Sequence, residues 1–260
     1  MTVTRILVAA MTVGLAISTA AEQPQPLTYV ALFRVEPPNV EKFLALGKQY
    51  VPTLDKLFTD GTLMAYGIDS DLMHRPNQLN VAFWYTVSSY TNLQKAEEAI
   101  EAFQAKSPQL MKETAALTDL SKHRDILARS LDRNWSKTGS CKPTVTSFSR
   151  VQVKPGKRDD FMADGRKYQK PVMDQLVNDG AMCSYSVDVE DVHTVDPGTV
   201  WVIMSFPNLG SMDKLDQAFD AANAKLSASE RTARTQARRE IVDMSKHEDS
   251  LARNIVFRSK

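Results

Sequence analysis

Histidine and acidic side chains occur in this sequence in two patterns, and each pattern appears twice. The segment from Tyr66 to His74 places acids at positions 69 and 71. The segment from Tyr185 to His193 repeats the tyrosine, a β-branched residue, two acids and the histidine at the same spacing, 119 residues later. Carboxylate and imidazole groups are ligands that divalent metals accept, so the first chemistry to weigh is a metal site.

Strand geometry separates the acids from the histidine within this segment. Side chains alternate between the two faces of a strand, so Asp69 and Asp71 share the face of Gly67, while His74 has the parity of Tyr66. A β-bulge would be needed in both repeats to bring them to one face. We therefore predict no metal site, and we interpret the histidine as a hairpin residue that bonds to its own loop or to the neighbouring repeat.

The same alternation predicts a polar face. If helices cover the tyrosine side of these strands, the acids face the space between two paired sheets, or its rim. Two repeat-matched arginines end the first strand of each repeat and could pair with the acids there. These residues are the predicted lining of a ligand cavity: Arg34, Asp69, Asp71, Arg150, Asp188 and Glu190. The alternative is a set of structural ion pairs.

The other two histidines belong to the second repeated pattern. His123 is followed by Asp125, and His247 by Asp249, each after the same Ser-Lys pair. An acid two residues on could orient a histidine that acts as a general base. We assign His123 and His247 as candidate catalytic residues just before the last strand of each repeat. The alternative is a turn held by local hydrogen bonds.

The elements that must position these residues follow one order in both repeats. The first repeat predicts strands at 27–35, 63–72, 80–87 and 125–131, with helices at 40–60 and around 93–103. The second predicts strands at 144–153, 182–189 and 199–206, helices at 158–178 and around 212–222, a polar helix at 229–240 and a last strand. Pro52 and Pro171 interrupt the first helix of each repeat at the matched place, which predicts a kink or a break. Four aromatic residues of the third strands are predicted to be core or sheet-interface residues, with a ligand platform as the alternative: Trp84, Tyr85, Trp201 and Phe206.

Two βαββαβ units describe a ferredoxin-like fold present twice. On this element order, the repeat length and the Asp-Gly after each first helix, the chain resembles the dimeric α/β-barrel superfamily from about Leu27 to Phe257. Antibiotic-biosynthesis-monooxygenase-like and NIPSNAP-like proteins belong to that superfamily. The resemblance implies an α+β fold whose two tandem units form an intramolecular pseudo-dimeric α/β barrel. It implies no single reaction, because the superfamily includes cofactor-free oxygenases, haem-dependent enzymes and proteins of no known activity.

The amino terminus is typical of an export signal, with Arg5, an apolar run at 6–17 and small residues up to Ala21. We expect a signal peptide at residues 1–21 that is cleaved after Ala20 or Ala21, and a periplasmic or secreted protein; an uncleaved anchor is the alternative. The expected domains are a first repeat at 27–131, a linker at 132–142 and a second repeat at 143–260.

Net charge and cysteine content limit the classes of partner and the compartment that we expect. Without Arg5 the 31 remaining basic residues equal the 31 acidic ones, which predicts no nucleic-acid binding, and no stable membrane insertion is expected after cleavage. The two cysteines, Cys141 and Cys183, could form a disulfide in an oxidising compartment; the alternative is a buried Cys183 thiol and a solvated Cys141. Self-association into a homo-oligomer stays open.

The sequence leaves three functions to compare. The leading hypothesis is a binding module for a small molecule or a partner, because the duplication brings no complete catalytic constellation. No haem-attachment motif, nucleophile elbow or phosphate-binding glycine loop occurs in the sequence, so the cofactor is left open. The second hypothesis is a monooxygenase-like enzyme acting on a small organic substrate between helix and sheet, which requires a cavity that His123 or His247 enters. The third is a structural envelope protein, which would show an exposed apolar patch in place of a cavity.

Overall fold

The computed structural model describes residues 25–73, 78–136, 141–192 and 196–260. The predicted signal peptide and the hairpin histidines His74 and His193 lie outside these ranges. Among the helices within them, none is long and apolar enough to cross a lipid bilayer.

The strands and helices of the described ranges follow the order that the repeat predicts. The strands are β1 (Leu27–Phe33), β2 (Ala65–Asp71), β3 (Val81–Val87), β4 (Arg124–Trp135), β5 (Val145–Val153), β6 (Ser184–Glu190), β7 (Thr199–Phe206) and β8 (Val242–Ser259). The α-helices are α1 (Val40–Gly47), α2 (Val51–Thr59), α3 (Tyr90–Ala105), α4 (Pro108–Leu117), α5 (Arg158–Asp164), α6 (Lys170–Asn178), α7 (Ser211–Ala224) and α8 (Ala228–Ile241).

The strands close into a single antiparallel barrel in the order β1-β3-β2-β8-β5-β7-β6-β4. Each repeat contributes four neighbouring strands, and the last strand of each repeat pairs with the second strand of the other, β4 with β6 and β8 with β2. Helices cover the outside. This is the α+β pseudo-dimeric α/β barrel that the sequence predicts.

The tyrosine face of β2 and β6 packs under the helices. Tyr66 and Tyr185 are fully buried in matched hydrophobic cores outside the barrel. Their hydroxyls donate to helix carboxylates at the same spacing in each repeat, to Asp55 at 2.5 Å and to Asp174 at 2.7 Å. Each tyrosine therefore joins a strand to the helix that crosses it, a structural role that explains why the duplication keeps it.

The prolines break the first helix of each repeat, as predicted. A 3-10 turn at residues 48–50 separates α1 from α2, and Pro52 lies in the first turn of α2. A π-helical turn at Gly165–Gln169 precedes α6, and Pro171 lies in its first turn. A proline has no N–H to donate, and the first turn of a helix is where that loss costs least.

Two strands are longer than predicted. β4 continues to Trp135, into the segment expected as linker, because residues 132–135 pair with β6. β8 begins at Val242, because Val242 and Asp243 pair with the end of β5. The prediction that His247 precedes the last strand is therefore wrong, since His247 lies within β8, whereas His123 does precede β4.

The two cysteines are joined. A disulfide links Cys141, after β4, to Cys183, immediately before β6, with their Cα atoms 5.3 Å apart. It fixes the connection between the repeats to the strand with which β4 pairs.

We expect this crosslink to stabilise the fold measurably. Closing a loop between residues that are 42 apart in sequence restricts the unfolded chain, so the variant Cys141→Ser/Cys183→Ser should lose about 2–4 kcal/mol in free energy of unfolding. Urea denaturation measures this loss, and thiol titration of the unfolded wild-type chain should find no free thiol before reduction and two after it. Two titratable thiols without reductant would contradict the crosslink.

Candidate functional site

The barrel encloses a cavity of about 430 Å³. Alternate residues of each strand point into it, which gives the interior its own composition. All three tryptophans of the chain line the cavity, together with two phenylalanines: Trp84, Trp135, Trp201, Phe148 and Phe257. Eight-stranded barrels are just wide enough to be filled by side chains or to hold one small ligand. This one retains space.

Asp69 is a buried carboxyl group on the cavity wall. Its Oδ2 accepts from the indole Nε1 of Trp84 at 2.7 Å, and its Oδ1 accepts from the amide Nδ2 of Asn254 at 2.7 Å. Burial raises the pKa of Asp69 to about 7, against the opposing effect of these two hydrogen bonds. The group is thus oriented at both oxygens, and it exchanges its proton near neutral pH.

The matched residue in the second repeat, Asp188, has different surroundings. It is also buried, and its Oδ2 accepts from the hydroxyl of Ser186 at 2.8 Å. Its pKa is raised by burial, while the hydroxyls of Ser130 and Ser186 and the charge of Arg133 oppose that shift. The two repeats therefore present a buried acid at equivalent positions, with an indole and an amide beside one and hydroxyls and a cation beside the other.

A charged cluster closes part of the wall. Arg124 donates to the buried carboxylate of Glu190 at 2.8 Å, and the indole of Trp201 donates to the same oxygen at 3.2 Å. Arg124 and Trp201 line the cavity, with Glu190 behind them. Because one carboxylate serves both donors, the arginine is neutralised and the indole is fixed in orientation.

Some of the predicted lining residues lie on the cavity wall and others lie outside it. Asp69, Asp71, Asp188 and Arg150 line the cavity. The predicted pairing of the arginines with these acids is wrong, because Arg150 forms an ion pair with Asp196 at 3.3 Å.

Arg34 lies just beyond the end of β1. It pairs with Glu36 at 2.8 Å and with Asp119 at 3.7 Å, outside the cavity lining. One partner lies in the loop that follows β1, and the other lies just after α4.

The candidate catalytic histidines lie outside the barrel. His123 has its Nε2 3.0 Å from Asp125 and its Nδ1 3.1 Å from the carbonyl of Leu32, and its ring packs on Phe33. His247 has its Nε2 3.2 Å from Asp249. The next residue in each case, Arg124 or Glu248, lines the cavity, as does Asp249 beside His247. The geometry is that of local polar contacts, and neither histidine lines the cavity.

Sequence reasoning missed several lining residues. Trp84 and Trp201 were expected in a core or sheet interface, yet they face the cavity, while Tyr85 and Phe206 are the buried core residues. Strand parity could have separated the tryptophans from the core residues, since Trp84 has the opposite parity to Tyr85 in β3 and Trp201 has the opposite parity to Phe206 in β7.

Arg133 was hidden in the expected linker. A register shift interrupts the pairing of β4 with β6 between Ser130 and Asp132. A second shift interrupts the pairing of β2 with β8 at the matched place. Each bulge inverts the parity beyond it, so Arg133 and Phe257 face inward where simple alternation would place Asp132 and Val256.

A small space lies between helix and sheet in the second repeat. A cavity of about 20 Å³ lies between α5–α6 and the second sheet, bordered by Met173, Tyr185 and Val202. That volume admits about one water molecule. Among the described residues, no three His, Cys, Asp or Glu side chains cluster as metal ligands would.

Comparison with solved structures places the fold. A candidate monooxygenase from Fusobacterium nucleatum subsp. nucleatum ATCC 25586 superposes with a TM-score of 0.63 at 11% identity, over 92% of this chain and 96% of its own. A candidate monooxygenase from Lactobacillus acidophilus NCFM has a TM-score of 0.60 at 10% identity, over 90% of this chain and 96% of its own. An anthrone oxidase-like protein has a TM-score of 0.53 at 15% identity, over 90% of this chain and 93% of its own. No protein-family model and no curated protein matches the sequence. At these identities the likeness shows the shared dimeric α/β-barrel fold.

The ionisation of Asp69 should be visible in stability. Because its pKa is raised from 3.8 to about 7, the folded protein holds a proton that the unfolded chain loses as pH rises through this window. The free energy of unfolding therefore falls as pH rises from about 4 to about 7.5, and the wild type should lose roughly 2–4 kcal/mol relative to Asp69→Asn over that range.

Urea denaturation at several pH values measures this difference. The exposed acid Asp213 on α7 provides the control, and Asp213→Asn should follow the wild-type curve. Parallel curves for wild type and Asp69→Asn would show that Asp69 titrates as an ordinary carboxyl.

Proposed function

We propose that this chain is a small-molecule-binding protein that holds its ligand inside the barrel. The observation that carries the proposal is the 430 Å³ cavity enclosed by strands of both repeats. Ligand sites of this size combine apolar and aromatic walls with a few placed polar groups. Here the aromatic wall is interrupted by two oriented carboxyls and by arginines, in a space that eight strands could have filled with side chains.

The location of the polar groups supports a binding role over a structural one. Asp69 lies in the interior, and no cation of the described residues is hydrogen-bonded to either oxygen; such a group costs stability because burial disfavours its charge. A structural core would be more stable with an apolar side chain there. A bound molecule that hydrogen-bonds to this group would offset the cost.

The proposal includes an exported protein. The apolar amino-terminal run supports it, and so does the disulfide, because such bonds persist mainly in oxidising compartments.

A fluorescent apolar probe tests the binding site. N-phenyl-1-naphthylamine, which fluoresces strongly in apolar surroundings, should bind the wild type with one site per chain. Ala82 faces the cavity at the position that Trp201 holds in the second repeat, since they pair with the matched acids Asp69 and Asp188. Ala82→Trp therefore fills the cavity with a side chain that the matched position already accommodates, and it should reduce affinity for the probe at least about tenfold.

The control places the same side chain outside the barrel. Arg253 is exposed on β8, and Arg253→Trp should bind the probe as the wild type does. Probe binding that survives Ala82→Trp, in protein whose circular dichroism and melting curve are unchanged, would mean that the cavity is not the site.

A second candidate is a monooxygenase-like enzyme acting on a small organic substrate in the barrel. Asp69 favours it: a carboxylate fixed by two 2.7 Å hydrogen bonds, with a pKa of about 7, is suited to accept a proton from an acidic C–H or O–H of a bound substrate. Two fold neighbours carry monooxygenase names and a third an anthrone oxidase-like name. The site would lie in the barrel rather than between helix and sheet.

Oxygen uptake tests this second candidate. With anthrone as the substrate, the wild type should consume oxygen with a rate that rises through pH 7, and Asp69→Asn should lower the rate about 100-fold or more. His123→Ala should retain the rate. Equal uptake by wild type and Asp69→Asn, or none above buffer, would eliminate this use of Asp69 and leave the binding function in place.

The structural envelope hypothesis receives less support. Six large apolar side chains of the described residues are exposed: Met73, Tyr90, Leu120, Val192, Leu209 and Met244. The hypothesis required an apolar patch in place of a cavity, and a cavity is present.

A further inference from the structure

One cation of the cavity forms no ion pair with any described residue. Arg133 lines the barrel, and within the described ranges no carboxylate oxygen lies within 4.0 Å of its guanidinium. The other two lining arginines differ, since Arg124 pairs with Glu190 and Arg150 with Asp196. Burial lowers the pKa of Arg133, which reflects the cost of removing this charge from water. Arginines so placed are normally paired.

The residues near Arg133 are serines and one acid. It lies opposite Ser186 in the β4–β6 ladder, and Ser184 and Ser205 form the next inward pair towards the start of β6. Asp188 is the acid that acts on it electrostatically, and burial raises the pKa of that carboxyl. A guanidinium without an ion pair can bind an oxyanion through charge-assisted hydrogen bonds.

The opposite wall is aromatic. β4 and β8 are four places apart in the ring of eight strands, and Phe257 occupies in β8 the position that Arg133 occupies in β4, opposite Gly67 instead of Ser186. The rings of Trp84 and Phe257 contact each other edge to face at 5.5 Å between centroids. A Cβ at Gly67 would lie 2.5 Å from the indole of Trp84, so only glycine leaves room for this pair.

The first repeat thus supplies Arg133 and Trp84 to the site, and the second supplies Phe257. We propose that the ligand of the barrel is an organic anion with an aromatic body, whose acidic group binds Arg133 and whose rings lie against Trp84 and Phe257. This inference rests on the proposed binding function and adds the chemical class of the ligand. The bidentate guanidinium gives the ligand a direction across the barrel, and the aromatic pair contributes most of its buried area.

Two probes that differ by a single acidic group provide the test. 8-Anilinonaphthalene-1-sulfonate is N-phenyl-1-naphthylamine with a sulfonate added, so their dissociation constants isolate the contribution of the anion. We expect the wild type to bind the sulfonate at least about tenfold more tightly, as a charge-assisted hydrogen bond can provide. Arg133→Met should abolish that preference while leaving the affinity for the neutral probe within about twofold, and Arg133→Lys should retain part of it.

Controls separate this inference from the proposal on which it depends. Arg253→Met removes an arginine from the outer face of the barrel and should keep the preference. Ala82→Trp should weaken both probes, and sulfonate binding that it does not affect would be binding outside the cavity, which overturns the inference. Failure of the neutral probe to bind in the barrel would overturn the proposed function itself. If the neutral probe binds and the sulfonate is not preferred, or if Arg133→Met retains the preference, the inference of an anionic ligand would be overturned and the binding function would stand. The comparison of the two probes on the wild type decides this even if Arg133→Met does not fold.

Discussion

Closure of the barrel depends on two strand pairs, β2 with β8 and β4 with β6, because these pairs join the two repeats in the ring of described strands. A four-stranded sheet alone would expose two edges with unpaired backbone groups, and an antiparallel barrel removes both. The last strand of each repeat is long for this reason. β4 and β8 each pair with a strand of their own repeat and then with a strand of the other. Neither repeat completes its hydrogen bonding without its partner.

Both joints contain a register shift, and the interior is organised by those shifts. Past the shift in β4 the inward residue is Arg133, and past the matched shift in β8 it is Phe257. The backbone irregularity is shared by the repeats, whereas the side chain it presents to the cavity is not. A symmetric barrel therefore encloses an asymmetric site, with a cation on one wall and an aromatic pair on the other.

Outside and inside the barrel the duplication has been kept to different degrees. Outside, Tyr66 and Tyr185 bond to helix carboxylates in the same way, since both repeats must attach a helix to a sheet. Inside, Asp69 and Asp188 keep their place but differ in their partners. The enclosed interior magnifies these differences, because burial raises the cost of every charge and makes each hydrogen bond to it count for more.

The sequence by itself determined the fold and part of the cavity lining. The matched segments established two βαββαβ units, and period-two alternation placed Asp69 and Asp188 on the face opposite Tyr66 and Tyr185, since that alternation is a local property of any strand. The same rule could have placed His123 and His247 outside, if the inward parity of Arg124 and Glu248 had been known. Arg133 could not be predicted, because it stood in an expected linker and beyond a bulge that reverses the alternation. Where a bulge falls, how far β4 and β8 extend, and whether the interior is filled are set by pairing between segments far apart in the chain. Only the tertiary structure decided them.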